Sequence, residues 1–326
     1  MKIAFFSSKS YDREFFDRHN KNNTISYFEV PLNLQTVTLS QGHDAVCVFV
    51  NDILNEKVMD QLAFLGIKLI ALRCAGFNNV DLNAAHRLQI PVVRVPAYSP
   101  HAVAEHAVAM ILTLNRKTHK AYNRVREGNF SLETLTGFDL YGKTVGVVGT
   151  GKIGYAFCEI MLGFGCNVLA FDILAQRELE AKGVIYLPFI DLLEQSDIIS
   201  LHCPLTELTQ HLINEDTIKF MKRGVMLINT SRGALIDAKA AIDALKNGQL
   251  AYLGIDVYEQ EEKLFFNDLS GEVIQDDLIM RLISFPNVLI TAHQGFFTSE
   301  AMTQIAITTL QNIKDFEEVT VLKNRL

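Results

Sequence analysis

Short apolar runs alternate along this chain with stretches whose apolar positions recur at helical spacing. The early runs predict strands at Lys2–Ser7, Ile25–Val30, Ala45–Val50, Lys68–Arg73 and Val92–Val95. Helical patterns fall between them, near Asp12–His19, Glu56–Leu65 and Leu82–Leu88. Strands separated by helices imply βαβ units and a parallel sheet. At Val95-Pro-Ala-Tyr-Ser-Pro100 two prolines interrupt both patterns, which predicts a connector between domains. Ser99 suits an N-cap and Pro100 a first helical turn. One long helix is expected from His101 to about Val125, with Val103, Ala107, Met110, Ile111 and Leu114 as its apolar stripe. Arg116, Lys117, Lys120, Arg124 and Arg126 gather in its C-terminal half, where the helix dipole favours cations.

A second alternating series follows, with predicted strands at Thr144–Val148, Asn167–Phe171, Val184–Leu187, Ile198–His202, Val225–Asn229, Tyr252–Asp256 and Val288–Thr291. These runs are short and strongly apolar, as parallel strands covered on both faces are. A last helix is expected over about Ser299–Phe316.

The first strand of this second series runs into Gly149-Thr-Gly-Lys-Ile-Gly154, and a helix pattern opens at once over Lys152–Phe164. Gly149 permits a tight turn, Gly151 lets the backbone approach a pyrophosphate, and Gly154 lets helix and strand pack closely. The phosphates would meet unpaired N–H groups at the positive end of the helix dipole. The next strand ends at Asp172, 18 residues beyond Gly154, where a carboxylate would bind a ribose 2′-hydroxyl and repel a 2′-phosphate. Ile173 and Leu174 follow and offer no arginine. The expected cofactor is therefore NAD rather than NADP. Because the glycine turn lies near mid-chain, the dinucleotide domain is expected to be inserted in another. The expected domains are 1–98 plus 299–326, a discontinuous substrate domain, and 99–298, the NAD-binding domain.

Hydride chemistry belongs to the cofactor, so the protein must supply an acid/base, a partner for it, and a cation for a carboxylate. In open α/β sheets such groups lie past the carboxyl ends of strands. Three predicted strands lead there into Thr230-Ser-Arg232-Gly233, into Tyr258-Glu259-Gln-Glu261-Glu262, and into Ala292-His293-Gln294. Taken singly, Arg232 is more often a surface ion-pair residue, His293 a structural histidine, and the glutamates a solvated loop. Spacing alone does not choose among Glu259, Glu261 and Glu262.

Together with His202-Cys-Pro-Leu-Thr206, Asn229–Gly233, Asp256-Val-Tyr-Glu259-x-Glu261 and His293, the glycine turn and Asp172 resemble the D-isomer-specific 2-hydroxyacid dehydrogenase family. Arg73-Cys-Ala-Gly-Phe-Asn-Asn-Val-Asp81, Val95–Pro100 and Val103-Ala-Glu-His106 extend the likeness over essentially the whole chain. The nearest branch is the bacterial fermentative, lactate-forming one. The resemblance implies an α/β fold of two Rossmann-like, doubly wound parallel-sheet domains with a cleft between them. It also implies His293 as acid/base, Glu261 as its partner and Arg232 as the substrate clamp, with substrate also held by Ala75, Gly76, Tyr98 and His293. It implies an NAD site at Gly149, Gly151, Lys152, Ile153, Gly154, Asp172, Cys203, Pro204, Thr230, Ser231, Arg232 and Asp256. Cys203 stands where valine is common in the family, and a small apolar contact to adenosine would survive that change. A planar carboxylate suits the arginine fork, and a carboxylate partner favours the protonated imidazole. Phe77, Tyr98, Phe296 and Phe297 are candidates for a small methyl pocket or for ordinary packing. Rival readings are a relative acting on a different keto acid and an NAD-sensing corepressor.

Composition narrows the partners. The 326 residues are 49% hydrophobic and 21% charged, with net charge −7, which disfavours nucleic-acid and anionic-membrane surfaces. Cys47, Cys74, Cys158, Cys166 and Cys203 form no Cys-x-x-Cys pair, so neither a metal site nor a disulfide framework is expected, and reduced thiols fit the cytoplasm. The expected partners are a small 2-keto or 2-hydroxy acid and copies of the chain, as a dimer or tetramer.

Overall fold

The computed structural model describes residues 1–326, apart from the side chain at position 263. The chain opens with β1 (Lys2–Phe5), α1 (Ser10–His19), β2 (Thr24–Tyr27), β3 (Ala45–Val48), α2 (Glu56–Phe64), β4 (Leu69–Leu72), α3 (Leu82–Arg87) and β5 (Val92–Val93). Next come α4 (Pro100–Arg116), α5 (Thr118–Arg126), β6 (Thr144–Val148), α6 (Lys152–Gly163), β7 (Asn167–Phe171), α7 (Arg177–Ala181), β8 (Ile185–Tyr186), α8 (Phe189–Gln195) and β9 (Ile198–Leu201). The remainder comprises α9 (Glu215–Ile218), β10 (Val225–Asn229), α10 (Ala238–Asn247), β11 (Leu250–Ile255), α11 (Asp277–Ile283), β12 (Val288–Ile290) and α12 (Ser299–Glu317).

Two compact units result, Met1–Ser99 with Phe297–Leu326, and Pro100–Phe296. The first unit is built on a five-stranded sheet of order β2-β1-β3-β4-β5, parallel throughout. Its central strands β3 and β4 are short and buried on both faces, with no exposed residue. Polar caps start its helices, with Asn55 accepting from Val58 N–H and Asp81 from Ala84 N–H. Helix α12 packs against α1 and β4, and the Leu326 amide donates to Val92 O at 2.9 Å.

The second unit carries seven parallel strands in the order β12-β11-β10-β9-β6-β7-β8. Alternation along β10 builds its two cores. Val225 and Leu227 join one apolar cluster, Met226 and Ile228 the other, because successive strand side chains face opposite ways. Each fully buried side chain of this size contributes about 1.5–3 kcal/mol. Gly254 lets α4 lie close on β11: a Cβ there would stand 3.1 Å from Leu114 Cδ1.

The single helix expected over residues 101–125 is divided. It stops at Arg116, Lys117 turns left-handed with φ 51°, and α5 starts afresh. Asn115 accounts for the break. Its amide receives Phe138 N–H and donates to Phe138 O, each at 2.7 Å, while Lys117 Nζ reaches Thr136 O. The returning segment captures polar groups that a continuing helix would turn elsewhere. Among the described residues no helix is long and apolar enough to cross a membrane, and no group of three or more metal-ligating side chains occurs. The five cysteines are buried and unpaired with one another.

Candidate active site

The second unit places its glycine turn beside the strand-order reversal between β6 and β9. Gly149 has φ +94°, and a Cβ there would lie 2.6 Å from Cys203 N. A Cβ on Gly154 would lie 1.9 Å from Gly149 O, so only hydrogen fits. Gly151 is different: it faces open space and begins α6 with no side-chain cap. The start of a 12-residue helix is thereby left bare, with Lys152 exposed and Ile153 half-buried beside it. This is the geometry that accepts an anion. A dinucleotide pyrophosphate fits this cradle, since a Cβ at Gly151 is the one change there that would intrude only into open space.

Asp172 ends β7 and bends back to the turn. Its carboxylate accepts from Thr150 N–H at 2.5 Å, from the Thr150 hydroxyl at 3.1 Å and from Leu174 N–H at 3.1 Å. Ile173 and Leu174 project into solvent, and among the described residues no arginine pairs with the Asp172 carboxylate. Across the turn, Cys203 is buried, Pro204 exposed, and Cys203 O accepts the Ser231 hydroxyl at 2.7 Å. Thr230 is buried, and its hydroxyl has no hydrogen-bond partner.

The β10 tip is organised by Asn229, which spacing alone did not single out. Its side chain accepts from Ser231 N–H at 3.0 Å and donates to Arg232 O at 2.8 Å. Gly233 then passes so close to Tyr258 that a Cβ would lie 2.0 Å from its carbonyl carbon, locking the β10 tip against the β11 tip. The Arg232 guanidinium donates only to the adjacent Ser231 O, at 2.7 Å, and no carboxylate of the described residues pairs with it. A half-buried, unpaired fork of this kind is suited to an anionic ligand.

Contacts now separate the three glutamates. Glu261 Oε1 is 2.7 Å from His293 Nδ1, while its Oε2 accepts Tyr258 N–H at 2.8 Å. Glu259 instead meets His211 Nε2 at 2.9 Å, and Glu262 is exposed. With Nδ1 held by a carboxylate, Nε2 is the His293 nitrogen left to exchange a proton. The ring neighbours Phe266 and Phe296, with centroids 6.0 and 6.4 Å away. Phe266 had no sequence signal: it sits in a loop, with φ +66°.

Asp256 points to the β12 tip. Its carboxylate accepts from Thr291 Oγ1, Gln294 N–H, Gly295 N–H and His106 Nε2. Burial would raise its pKa, but bonds from His106 and Thr291 outweigh that and hold it below the usual carboxylate range. Oδ1 takes the bonds from Thr291 and Gln294, Oδ2 that from Gly295, and together they support the loop carrying His293. Ala75, Gly76 and Tyr98 belong to the first unit, the first two in the turn after β4. Arg94 Nη1 steadies that turn through Ala75 O at 2.7 Å and lies over the Phe77 ring. Phe297, also in the first unit, packs edge-on against Tyr11.

Residues 108–295 match the family described as D-isomer specific 2-hydroxyacid dehydrogenase, NAD binding domain. The chain belongs to the D-isomer specific 2-hydroxyacid dehydrogenase family. Within it, the chain is 52% identical to the D-lactate dehydrogenase of Escherichia coli K12, over the full length of both. The apo structure of D-lactate dehydrogenase from Escherichia coli superposes with a TM-score of 0.92 at 50% identity, covering 100% of each chain. The Aquifex aeolicus D-lactate dehydrogenase complexed with NAD and lactic acid superposes with a TM-score of 0.89 at 34% identity, covering 99% of this chain and 98% of that one. The 2-hydroxyacid dehydrogenase fold, two parallel-sheet α/β units, and an NAD-binding domain are thus properties of this chain.

Proposed function

We propose that this protein is an NAD-dependent D-lactate dehydrogenase that reversibly reduces pyruvate. The observation carrying the reading is the His293–Glu261 contact of 2.7 Å, in one unit with a guanidinium, Arg232, that has no carboxylate partner. NADH, when bound, supplies the hydride. Arg232 would bind the substrate carboxylate and polarise the keto carbonyl, and Ala75, Gly76 and Tyr98 would contribute further contacts. His293 would give its Nε2 proton to the keto oxygen, so one hydride and one proton convert the ketone to the alcohol. Glu261 would keep the protonated ring oriented and offset its charge. In oxidation, neutral His293 takes the hydroxyl proton.

Gly149, Gly151, Lys152, Ile153 and Gly154 would hold the pyrophosphate, Asp172 the ribose hydroxyls, and Cys203 and Pro204 the adenosine. Thr230, Ser231 and Arg232 would border the nicotinamide end. Residues 1–98 with 299–326 would then serve as the substrate domain and 99–298 as the NAD domain. The reading extends to a fermentative, cytoplasmic homo-oligomer. Its association through the NAD domain is supported by exposed Phe130, Leu132 and Tyr141 after α5, at 75–81% exposure.

The deciding assay follows NADH oxidation at 340 nm with pyruvate and a panel of larger keto acids. Pyruvate is expected to give the highest kcat/KM, with D-lactate as product. His293→Asn is expected to lower kcat by about 10²–10⁴-fold with NADH binding retained. Absence of pyruvate-dependent oxidation in the parent protein would remove the assignment.

A further inference from the structure

Helix α4 presents its apolar side to the second sheet, with Met110 and Leu114 against Gly254 of β11. One helical turn earlier on that face, at i−4 from Met110, stands His106, its side chain only 15% exposed. An imidazole on a buried stripe needs polar partners. His106 has two: Thr291 Oγ1 at 3.1 Å and Asp256 Oδ1 at 3.3 Å, both from its Nε2. The single proton of the Thr291 hydroxyl goes to Asp256 Oδ1, the shorter contact. Thr291 can therefore only accept from His106, and Asp256 is an acceptor as well, so Nε2 of His106 carries hydrogen.

What these groups hold is the loop of the acid/base histidine. His293 has φ 53°, a left-handed backbone that is strained for a non-glycine residue and persists only where its surroundings impose it. Asp256 imposes it: its carbonyl accepts His293 N–H at 2.8 Å, and its carboxylate accepts Gln294 N–H at 2.9 Å and Gly295 N–H at 2.8 Å. Gly295 in turn rests on α4, where a Cβ would lie 3.4 Å from His106 Cδ2.

We propose that His106 is a positioning residue for His293, acting through Asp256 and Thr291 to hold the 291–295 loop in the backbone conformation that aims the imidazole. The proposal rests on the reading of His293 as acid/base, but its central test does not. Amide hydrogen exchange of the apo protein over residues 291–296 is compared between parent, His106→Leu and His106→Gln. Leucine removes the donor, whereas the glutamine amide nitrogen can occupy the place of Nε2. His106→Leu is expected to exchange at least tenfold faster there, and His106→Gln to restore most of the protection. In turnover, His106→Leu should lose about 10–100-fold in kcat for pyruvate, with NADH affinity by fluorescence titration and KM for pyruvate changed less than about threefold. A larger isotope effect with 4-deuterated NADH is expected, since the misplaced acid slows the chemical step. Should His106→Leu not fold, His106→Asn, whose amide stops short of Asp256, takes its place. Parental exchange and kcat in the leucine variant, or equal impairment in the glutamine variant, would overturn the proposal. If the parent protein lacks pyruvate turnover, the exchange comparison still decides whether His106 holds the loop, so the two failures are distinct.

Discussion

Both sheets reverse their strand order beside their first strand, at β1/β3 in the first unit and at β6/β9 in the second, and the two tips are built in opposite ways. At β1/β3 the space is filled. Ser7 donates to Asp52 at 2.7 Å, Asp52 also receives Leu32 and Phe49 N–H, and Arg73 Nη2 reaches Ser7 O at 2.8 Å. The Arg73 guanidinium, 3.4 Å from Asp12, lies over the rings of Phe5 and Phe49. At β6/β9 the corresponding space is cleared by Gly149, Gly151 and Gly154. Carboxyl ends of strands at such reversals are where open α/β sheets bind ligands. The same topology can therefore be spent on internal cohesion or kept open for a dinucleotide, and side-chain size at a few positions decides which.

Breaking the filled tip should have the largest effect on stability. Arg73→Leu leaves Asp12 buried without its cation, and about 3–5 kcal/mol of stability is expected to be lost. Urea unfolding of the isolated variant measures it, and NADH affinity of the folded protein should stay near the parent value. A loss below about 1 kcal/mol would mean that the first tip is not the cohesive one.

Filling the open tip tests the other half. Gly154→Ala places a methyl against Gly149 O, and overpacking of this kind costs about 1–3 kcal/mol, or roughly 5–150-fold in NADH affinity if the turn yields. Gly151→Ala, which meets open space in the apo protein, should leave apo stability unchanged. Fluorescence titration and thermal melts of the pair separate the effects, and identical behaviour would show that the clearance at Gly154 is unimportant.

The smallest effect sharpens the contrast through pH. His202 lies under the glycine turn, bonded to Ser200 Oγ at 2.9 Å and packed on Phe157, and burial pushes its pKa down to about 3. The folded ring stays neutral where the unfolded ring, near 6.5, takes a proton. Its contribution is thus complete above about pH 6.5 and declines as pH falls toward 3, by at most about 1.4 kcal/mol per pH unit. His202→Gln should narrow the difference in urea midpoint between pH 7 and pH 5, and an unaltered difference would remove His202 as the source.

These contrasts also show which features the sequence carried. Central strands such as Thr144–Val148, Asn167–Phe171 and Val225–Asn229 have the bounds that their apolar runs predict, because burial on both faces leaves few alternatives. Edge strands came out shorter, Val92–Val93 and Ile185–Tyr186, since pairing on one side ends where the neighbour ends. The break at Lys117 depends on Asn115 meeting Phe138, a partner 23 residues away that helical periodicity does not register. Asp256 illustrates a second limit. Its place at a strand tip was legible, but its carboxylate is held by Thr291, Gln294 and Gly295 and also meets His106, 150 residues earlier on α4. Three glutamates within four positions were equivalent in spacing until Glu261 turned toward His293 and Glu259 toward His211.

Helix α12 and the strand-like pairing of Arg325 with Val93 complete the first sheet from the far end of the sequence. A ribosome therefore delivers residues 1–99 long before the helix that covers α1 and β4 exists, while residues 100–296 emerge with everything their own sheet requires. During synthesis the inserted unit can mature first, and the unit begun earliest must wait with part of its apolar surface uncovered. That interval is where a chaperone would find this chain most in need of shelter.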